Sequence, residues 1–420
     1  MHNTKIKLSI LALLISISWF VISFILNKDL IGGAFHDFKY HEKYFLNFLN
    51  EFLNTINDYG ESNEVRNSPI FYVLFSQILK IVVHTENLKY FNLIIIFPIV
   101  YFFNKCLDLK LNKLDKNSKF FFISCIFLSP TISSLINYPY PLIWALCFFL
   151  ISIYFFLKFE EFKEKKLLNA SLCILSLSIA SYFTPNFAVF IIFFFYHFYL
   201  RFKFSKKLVF LIIFSIFLSI PAIIFLIWKD FYMFKNNVFE VSIFEKINLS
   251  NKIIIITSFI IFFFIPFHQK LNFNSSNIKE KIKNKNFFIL IFIIFLSILF
   301  FDYKSGAGGG FFYKFSIIIF KNHLIIFLIF IFSILYFYFS NLLNFNNVLI
   351  FFVLILYNLQ YSIYYKYFDP LLFLIFLFLT KIKINNFENY NKISLNCFLF
   401  YTLFLFMNIF KNNFLKILAI

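Results

Sequence analysis

Residues 8–26 read LSILALLISISWFVISFIL, nineteen residues without a charge, preceded by Lys5 and Lys7. A helix needs about 20 apolar residues to cross the hydrocarbon core of a bilayer. The segment lacks a small-x-small cleavage site before the polar stretch that follows, so it reads as a first transmembrane helix rather than a signal peptide. Comparable apolar runs recur along the chain, at about 69–84, 90–107, 120–136, 142–158, 167–183, 186–200, 208–228, 253–267, 287–301, 322–340, 347–364, 370–382 and 395–410. The expected fold is all-α: a polytopic transmembrane helical protein of 11–14 helices, with residues 1–420 forming a single integral membrane domain.

Composition agrees. The chain is 61% hydrophobic and 14% charged, with 75 Phe and 24 Tyr, whereas soluble domains hold about 45–50% apolar and about 25% charged residues. The net charge of +19 does not point to nucleic acid. The lysines are scattered between apolar runs, as topology-setting residues are, and form no basic stripe on a soluble domain. Cys106, Cys125, Cys147, Cys173 and Cys397 sit in or beside apolar segments with neither disulfide nor zinc spacing, and read as small buried hydrophobes.

Lysine-rich connectors at 110–119, 158–166, 201–207, 270–285 and 381–392 are expected on the cytoplasmic side, with the N-terminus. The connectors at 27–68, 137–141, 184–186, 229–252, 302–316 and 366–370 then face outward. This requires an odd number of crossings between 69 and 109, where two apolar segments stand. Gln77, Lys80 and His84 make the first of them short, tilted or partly interfacial; the alternative is an outer N-terminus with a cytoplasmic first loop, and Lys5 and Lys7, close to the first helix, favour the former.

Chemistry-bearing residues gather in the outward connectors. The first, 27–68, holds Asp29, Asp37, Glu42, Glu51, Asp58, Glu61 and Glu64, seven of the twenty acidic residues. Its Phe38, Tyr44, Phe45, Phe48, Leu49 and Phe52 recur at helical spacing, which predicts an interfacial amphipathic helix. Within GGAFHDFKYHEK, Asp37 and His41 are four residues apart and share a helix face, with His36 and Glu42 beside them. A carboxylate placed there can act as a general base toward an acceptor hydroxyl. It can equally cap a helix. Two histidines with carboxylates also approach a zinc set, but lack a third convincing ligand. Arg66 is one of only two arginines, with Arg201.

Six of the seven glycines fall in two short segments, Gly32 and Gly33 in GGAFHDFKYHEK and Gly306, Gly308, Gly309 and Gly310 in DYKSGAGGGFFYK; the seventh, Gly60, lies later in the first loop. Glycine-freed N–H groups can cradle a phosphate and a flanking lysine supplies charge to it. Lys304 and Lys314 flank this run, although no G-K-[ST] follows and the segment is not a P-loop. A flexible connector is the plainer reading. Farther on, YYKYFDPLL places Lys366 among Tyr364, Tyr365 and Tyr367 ahead of Asp369 and Pro370, a headgroup-level belt or a lipid-phosphate contact.

In layout the chain resembles the GT-C type glycosyltransferases, polytopic enzymes that take a sugar from a polyprenyl-phosphate carrier. The resemblance rests on GGAFHDFKYHEKYF after the first helix, the proline-led NSPIFYVLF, the serine-proline in LSPTISSL and the late YYKYFDPLL. It implies a GT-C-like fold and Asp37 as base, with His36, His41 and Glu42 beside it. Lys304, Lys314, Lys366 and Gly308–Gly310 are implied at the donor phosphate, with Asp58, Arg66, Tyr367 and Asp369 as further candidates. The implied partners are a lipid-linked sugar donor, a glycan, lipid or protein acceptor, and membrane lipids, at the outer face of a bacterial inner (plasma) membrane. A divalent metal cation would fit this chemistry, and nothing in the sequence requires one. The chain departs from the family in showing His36-Asp37 where an acidic pair is usual, and Lys366 where an arginine is usual. A polysaccharide polymerase or ligase would depend on arginines in large external loops. A lipid-oligosaccharide flippase or other transporter would show two similar halves and ionisable residues near the middle of several spans. Neither pattern is present.

Overall fold

The computed structural model describes residues 2–60, 67–111, 114–162, 164–229, 248–268, 280–304, 308–358, 360–382 and 387–418. Among them every regular element is helical. The contacts group into two compact units, Met1–Glu240 with Ile384–Ile420, and Val241–Lys383. The helices of the first unit are α1 His2–Ile25, α2 Ala34–Asn50, α3 Phe52–Asn57, α4 Pro69–Val82, α5 Leu88–Leu93, α6 Ile96–Lys110, α7 Lys116–Leu128, α8 Pro130–Asn137, α9 Pro141–Glu161, α10 Lys166–Phe183, α11 Phe190–Phe202 and α12 Lys206–Trp228. Those of the second are α13 Leu249–Phe264, α14 Lys285–Leu299, α15 Gly310–Phe320, α16 Leu324–Phe339, α17 Phe345–Tyr357 and α18 Leu371–Phe378; α19 Phe387–Leu418 belongs to the first unit.

Among the described residues eight helical segments are long and apolar enough to cross a membrane, or nine if the bent pair α7–α8 counts as one span. This makes a multi-pass membrane protein and lowers the expected 11–14 crossings. The difference lies in five apolar helices of 10–17 residues, Pro69–Val82, Lys285–Leu299, Gly310–Phe320, Leu324–Phe339 and Phe345–Tyr357. At 1.5 Å per residue, the 14 residues of α4 reach about 21 Å, short of an apolar core of about 30 Å. Residues 370–382 shrink further, to the 8-residue α18.

Inside the first unit the side-chain bonds order the helix ends. Ser9 Oγ donates to Asn117 Oδ1 (2.9 Å) at one end of α1, and Asn137 Nδ2 donates to the Ser23 carbonyl (3.1 Å) at the other. Helix α1 and the α7–α8 pair therefore run side by side in one direction. The segment Thr85–Lys110 runs back. Its Asn92 meets the end of α8, and its Asp108 pairs with Lys119 near the start of α7. The C-terminal ends of α10 and α12 lie at the end where α1 exits and α8 stops: there Phe183 packs on Trp144 and Phe71, and Lys229 donates to the Asn57 carbonyl. Residues 69–110 thus contain one crossing, and α4 lies at the same end as residues 27–60. The connectors 110–119, 158–166 and 201–207 gather at the opposite end, near the start of α1.

The α7–α8 break follows from Ser129-Pro130. Proline has no N–H to donate back and clashes with the preceding turn. Ser129 leaves α7 in an extended conformation, its hydroxyl accepts from the Ile132 N–H (3.2 Å), and the axes bend by 50°. Helix α8 then ends among apolar side chains with carbonyls that need donors. Asn92 Nδ2 donates to the carbonyls of Leu135 (2.7 Å) and Ile136 (3.0 Å), while its Oδ1 accepts from Trp144 Nε1 (2.8 Å). Asn137 Nδ2 donates to Ser23 and Lys28 (2.9 Å), and the Tyr138 hydroxyl to the Asn27 carbonyl (2.7 Å). A buried carbonyl without a donor costs about 1–3 kcal/mol. Asn92→Leu is expected to destabilise the protein by at least about 1–3 kcal/mol, read as a lower melting temperature in detergent. An unchanged melt would show that these bonds do not hold the junction.

Candidate functional site

Helix α2 is positioned from both ends. Asp29 Oδ1 accepts from the N–H groups of Ile31 (3.1 Å) and Gly32 (2.9 Å), and Oδ2 from Phe35 (3.1 Å). The carboxylate thus folds the glycine turn and caps the helix, so the capping role falls to Asp29 and not to Asp37. Leu30 N–H donates to Ser134 Oγ (2.8 Å), anchoring the turn on α8. Ala34, Phe38, His41, Tyr44, Phe45 and Phe48 then form one buried face against α4. Of the aromatic stripe read from sequence, Leu49 is half-buried, and Phe52 lies outside α2 in α3 and is exposed.

The four residues expected around the base separate by face. Asp37 is half-buried in the first turn of α2 and its N–H donates to the Gly33 carbonyl (3.0 Å). His41, one turn on, is buried, with Nδ1 2.8 Å from the Tyr72 hydroxyl and its ring edge-on to Tyr140 (4.8 Å). Asn67 Nδ2 donates to the same Tyr72 oxygen (3.3 Å), which leaves the phenolic proton to point at His41 Nδ1. Burial pushes the Tyr72 hydroxyl well above its ordinary range against the lowering by the Asn67 bond, and the charges of Tyr44 and Asp37 add to the rise. Tyr72 therefore stays neutral and keeps its proton. His36 points outward, edge-on to Tyr40 (5.2 Å), and Glu42 accepts from Thr85 Oγ1, tying α2 to the start of the next crossing. Asp58 is exposed at the end of α3. Arg66 lies outside the described residues. Among those residues no three His, Cys, Asp or Glu side chains gather as a metal site.

In the second unit two segments read separately from the sequence come together. The Tyr303 hydroxyl accepts from the Ile363 N–H (3.2 Å), the Ile363 carbonyl accepts from Gly309 N–H (2.8 Å), and the Tyr361 hydroxyl accepts from Lys304 N–H (3.0 Å). The loop read as 302–316 is shorter than that, because helix starts at Gly310 and carries Lys314 on its second turn, half-buried. Lys304 is exposed, and Lys366 lies over the rings of Tyr364 (5.5 Å) and Tyr367 (5.6 Å). Tyr367 and Asp369 are buried. Asp302 accepts from Asn248 (2.8 Å) and Asn251 (2.6 Å), which fixes this loop to the start of α13.

The glycines here meet a packing demand. A Cβ on Gly308 would lie 2.8 Å from the Ile363 carbonyl oxygen, and one on Gly310 would lie 1.9 Å from the Phe259 ring, at φ of +88° and +75°. Gly309 N–H is committed to Ile363, so it does not point at a ligand. Gly306 lies outside the described residues.

Three contributors escape a reading of the sequence. Tyr72 and Asn67 sit in a segment that reads as an ordinary helix start. Lys252 precedes its apolar run by one residue and so resembles a boundary lysine, yet it is 3% exposed. A polar residue abutting an apolar run is the signal that could have found it.

No protein-family model matches the chain, and neither a curated protein nor a solved structure matches it. The family resemblance therefore stands on the motifs alone.

Gly310→Ala is expected to cost at least about 1–3 kcal/mol through left-handed backbone strain and the Phe259 clash. Gly33→Ala, at φ −160° with nothing within 4 Å of its Cβ, should stay within about 0.5 kcal/mol of the parent. Melting curves of the two variants check the contrast, and equal losses would overturn it.

Proposed function

We propose that the protein is a membrane glycosyltransferase that moves a sugar from a polyprenyl-phosphate carrier to an acceptor hydroxyl at the outer face of the membrane. The observation that carries the reading is the division of labour among the first-loop carboxylates. Asp29 is bound to three backbone N–H groups and Glu42 to Thr85. Asp37 stands half-buried one turn before a hydrogen-bonded His41–Tyr72–Asn67 chain, near enough to act on the Tyr72 hydroxyl electrostatically.

In the proposed reaction Asp37 takes the proton of the acceptor hydroxyl as that oxygen attacks the anomeric carbon. The bond from the anomeric carbon to the phosphate oxygen breaks, and the polyprenyl phosphate leaves with the electron pair. His41 and Tyr72 hold the wall behind Asp37, and their contact fixes the helix face that presents it. No step is routed through a metal, since the described carboxylates and histidines do not form a ligand set. The lysine-rich end of the first unit would be cytoplasmic, which puts α2 and α4 outside.

General-base catalysis contributes about 100- to 10,000-fold. Asp37→Asn is therefore expected to lower polyprenyl-phosphate release from a polyprenyl-phosphate sugar by about 100-fold or more, with melting temperature unchanged. Activity within a few fold of the parent would remove Asp37 from the base role. Movement of intact lipid across vesicles without release of carrier phosphate would replace transfer with transport.

A further inference from the structure

Lys252 lies in the first turn of α13, in the buried interior of the second unit. Its Nζ donates to the carbonyls of Asn358 and Gln360, the latter at 2.9 Å. Those carbonyls follow the C-terminus of α17, so the ammonium ties the start of one helix to the end of another. Among the described residues no carboxylate pairs with it. Asp302, on the adjoining loop, accepts from Asn248 and Asn251 instead.

Asn358 is fully buried beside it. Its Oδ1 accepts from the Gln360 N–H (3.0 Å), which fixes the orientation of the amide. Its Nδ2 is therefore the group that remains, and this buried donor has no hydrogen-bond partner among the described residues. A buried amide donor left unmade is costly, and a buried ammonium without a counter-charge more so. The two neighbouring groups share a sign: both donate, and together they carry one positive charge. The positive end of α13 and the carbonyl end of α17 act on that charge in opposite senses. A water molecule would satisfy the amide and leave the charge uncompensated. An anionic oxygen satisfies both.

We propose that Lys252 Nζ and Asn358 Nδ2 form a seat for one anionic oxygen of a phosphate-class ligand, either free phosphate or the phosphate monoester of a lipid. The seat stands on the second unit alone. Only the lipid source depends on the transferase reading.

Thermal melting of the full-length protein in detergent tests it, with inorganic phosphate in one arm and a polyprenyl monophosphate against its parent alcohol in the other. The parent protein is expected to rise by a few degrees in at least one phosphate arm and not with the alcohol. A rise with inorganic phosphate identifies a free-anion site; a rise with the lipid phosphate alone identifies a headgroup site. Asn358→Asp supplies the missing counter-charge in place. It is expected to melt at or above the parent without ligand and to lose the response. Should that variant fail to fold, Lys252→Gln, which keeps donors for the two carbonyls and removes the charge, should lose the response as well. Lys321→Gln, at an exposed position outside the cluster, and Asp37→Asn should keep it. No rise for the parent in either phosphate arm, or a full rise in both Asn358→Asp and Lys252→Gln, overturns the seat. A lost response with transfer intact would leave the transferase standing without it.

Discussion

A broken helix in apolar surroundings leaves carbonyls that no solvent can reach, and the first unit is organised around answering them. Proline at 130 ends α7, α8 restarts at an angle of 50°, and its final carbonyls fall among aromatic and aliphatic side chains. Asn92 supplies the donors for Leu135 and Ile136, and Asn137, itself the last residue of α8, donates to the Ser23 and Lys28 carbonyls at the exit of α1. Each joins elements far apart in sequence. Asn137 joins α8 to the exit of α1, and Asn92 joins it to the start of the next crossing and, through Trp144, to α9. Lipid offers no substitute donor, so the helix ends meet at one place. The first loop starts from that junction, since Leu30 is bonded to Ser134 and the Asp29 turn follows at once. The position of Asp37 therefore depends on a junction held by a pair of asparagines.

The second unit answers the same demand with different groups. Tyr303, Gly309 and Ile363 exchange hydrogen bonds across two loops, Asp302 receives two asparagine amides, and Lys252 serves the carbonyls after α17. Glycine is needed where these loops press together, because side chains at 308 and 310 would occupy the space of Ile363 and Phe259. Loop packing and phosphate binding draw on the same scarce resource, free backbone N–H groups, and packing has taken the one at Gly309.

Much of the architecture is legible in the sequence for a simple reason. Crossing a bilayer requires a run of apolar residues, and a run is a local property. Residues 8–26 announce their helix, and Ser129-Pro130 announces its break. Run length is a weaker guide to helix length, because apolar residues also fill loops and turns between short helices. Residues 347–364 read as one span, yet α17 ends at Tyr357, and beyond it the Asn358 carbonyl accepts from Lys252 and the Ile363 N–H donates to Tyr303. The first-loop helix is likewise legible from its stripe, while its start is set by Asp29, whose role as a cap depends on a turn the sequence only suggests through Gly32.

Sequence by itself determined that this is a helical, multi-pass membrane protein and that its carboxylates and glycines concentrate in a few connectors, because composition and apolar run length are read residue by residue. Tertiary structure decided what several of those groups are bonded to. It assigned Asp29 and Glu42 to scaffolding, set Asp37 beside a buried His41–Tyr72 pair thirty-one residues apart in sequence, and placed a lysine with the look of a boundary residue in the interior next to Asn358. Hydrogen-bond partners across such separations are chosen by which helix ends meet, and no local pattern records that choice.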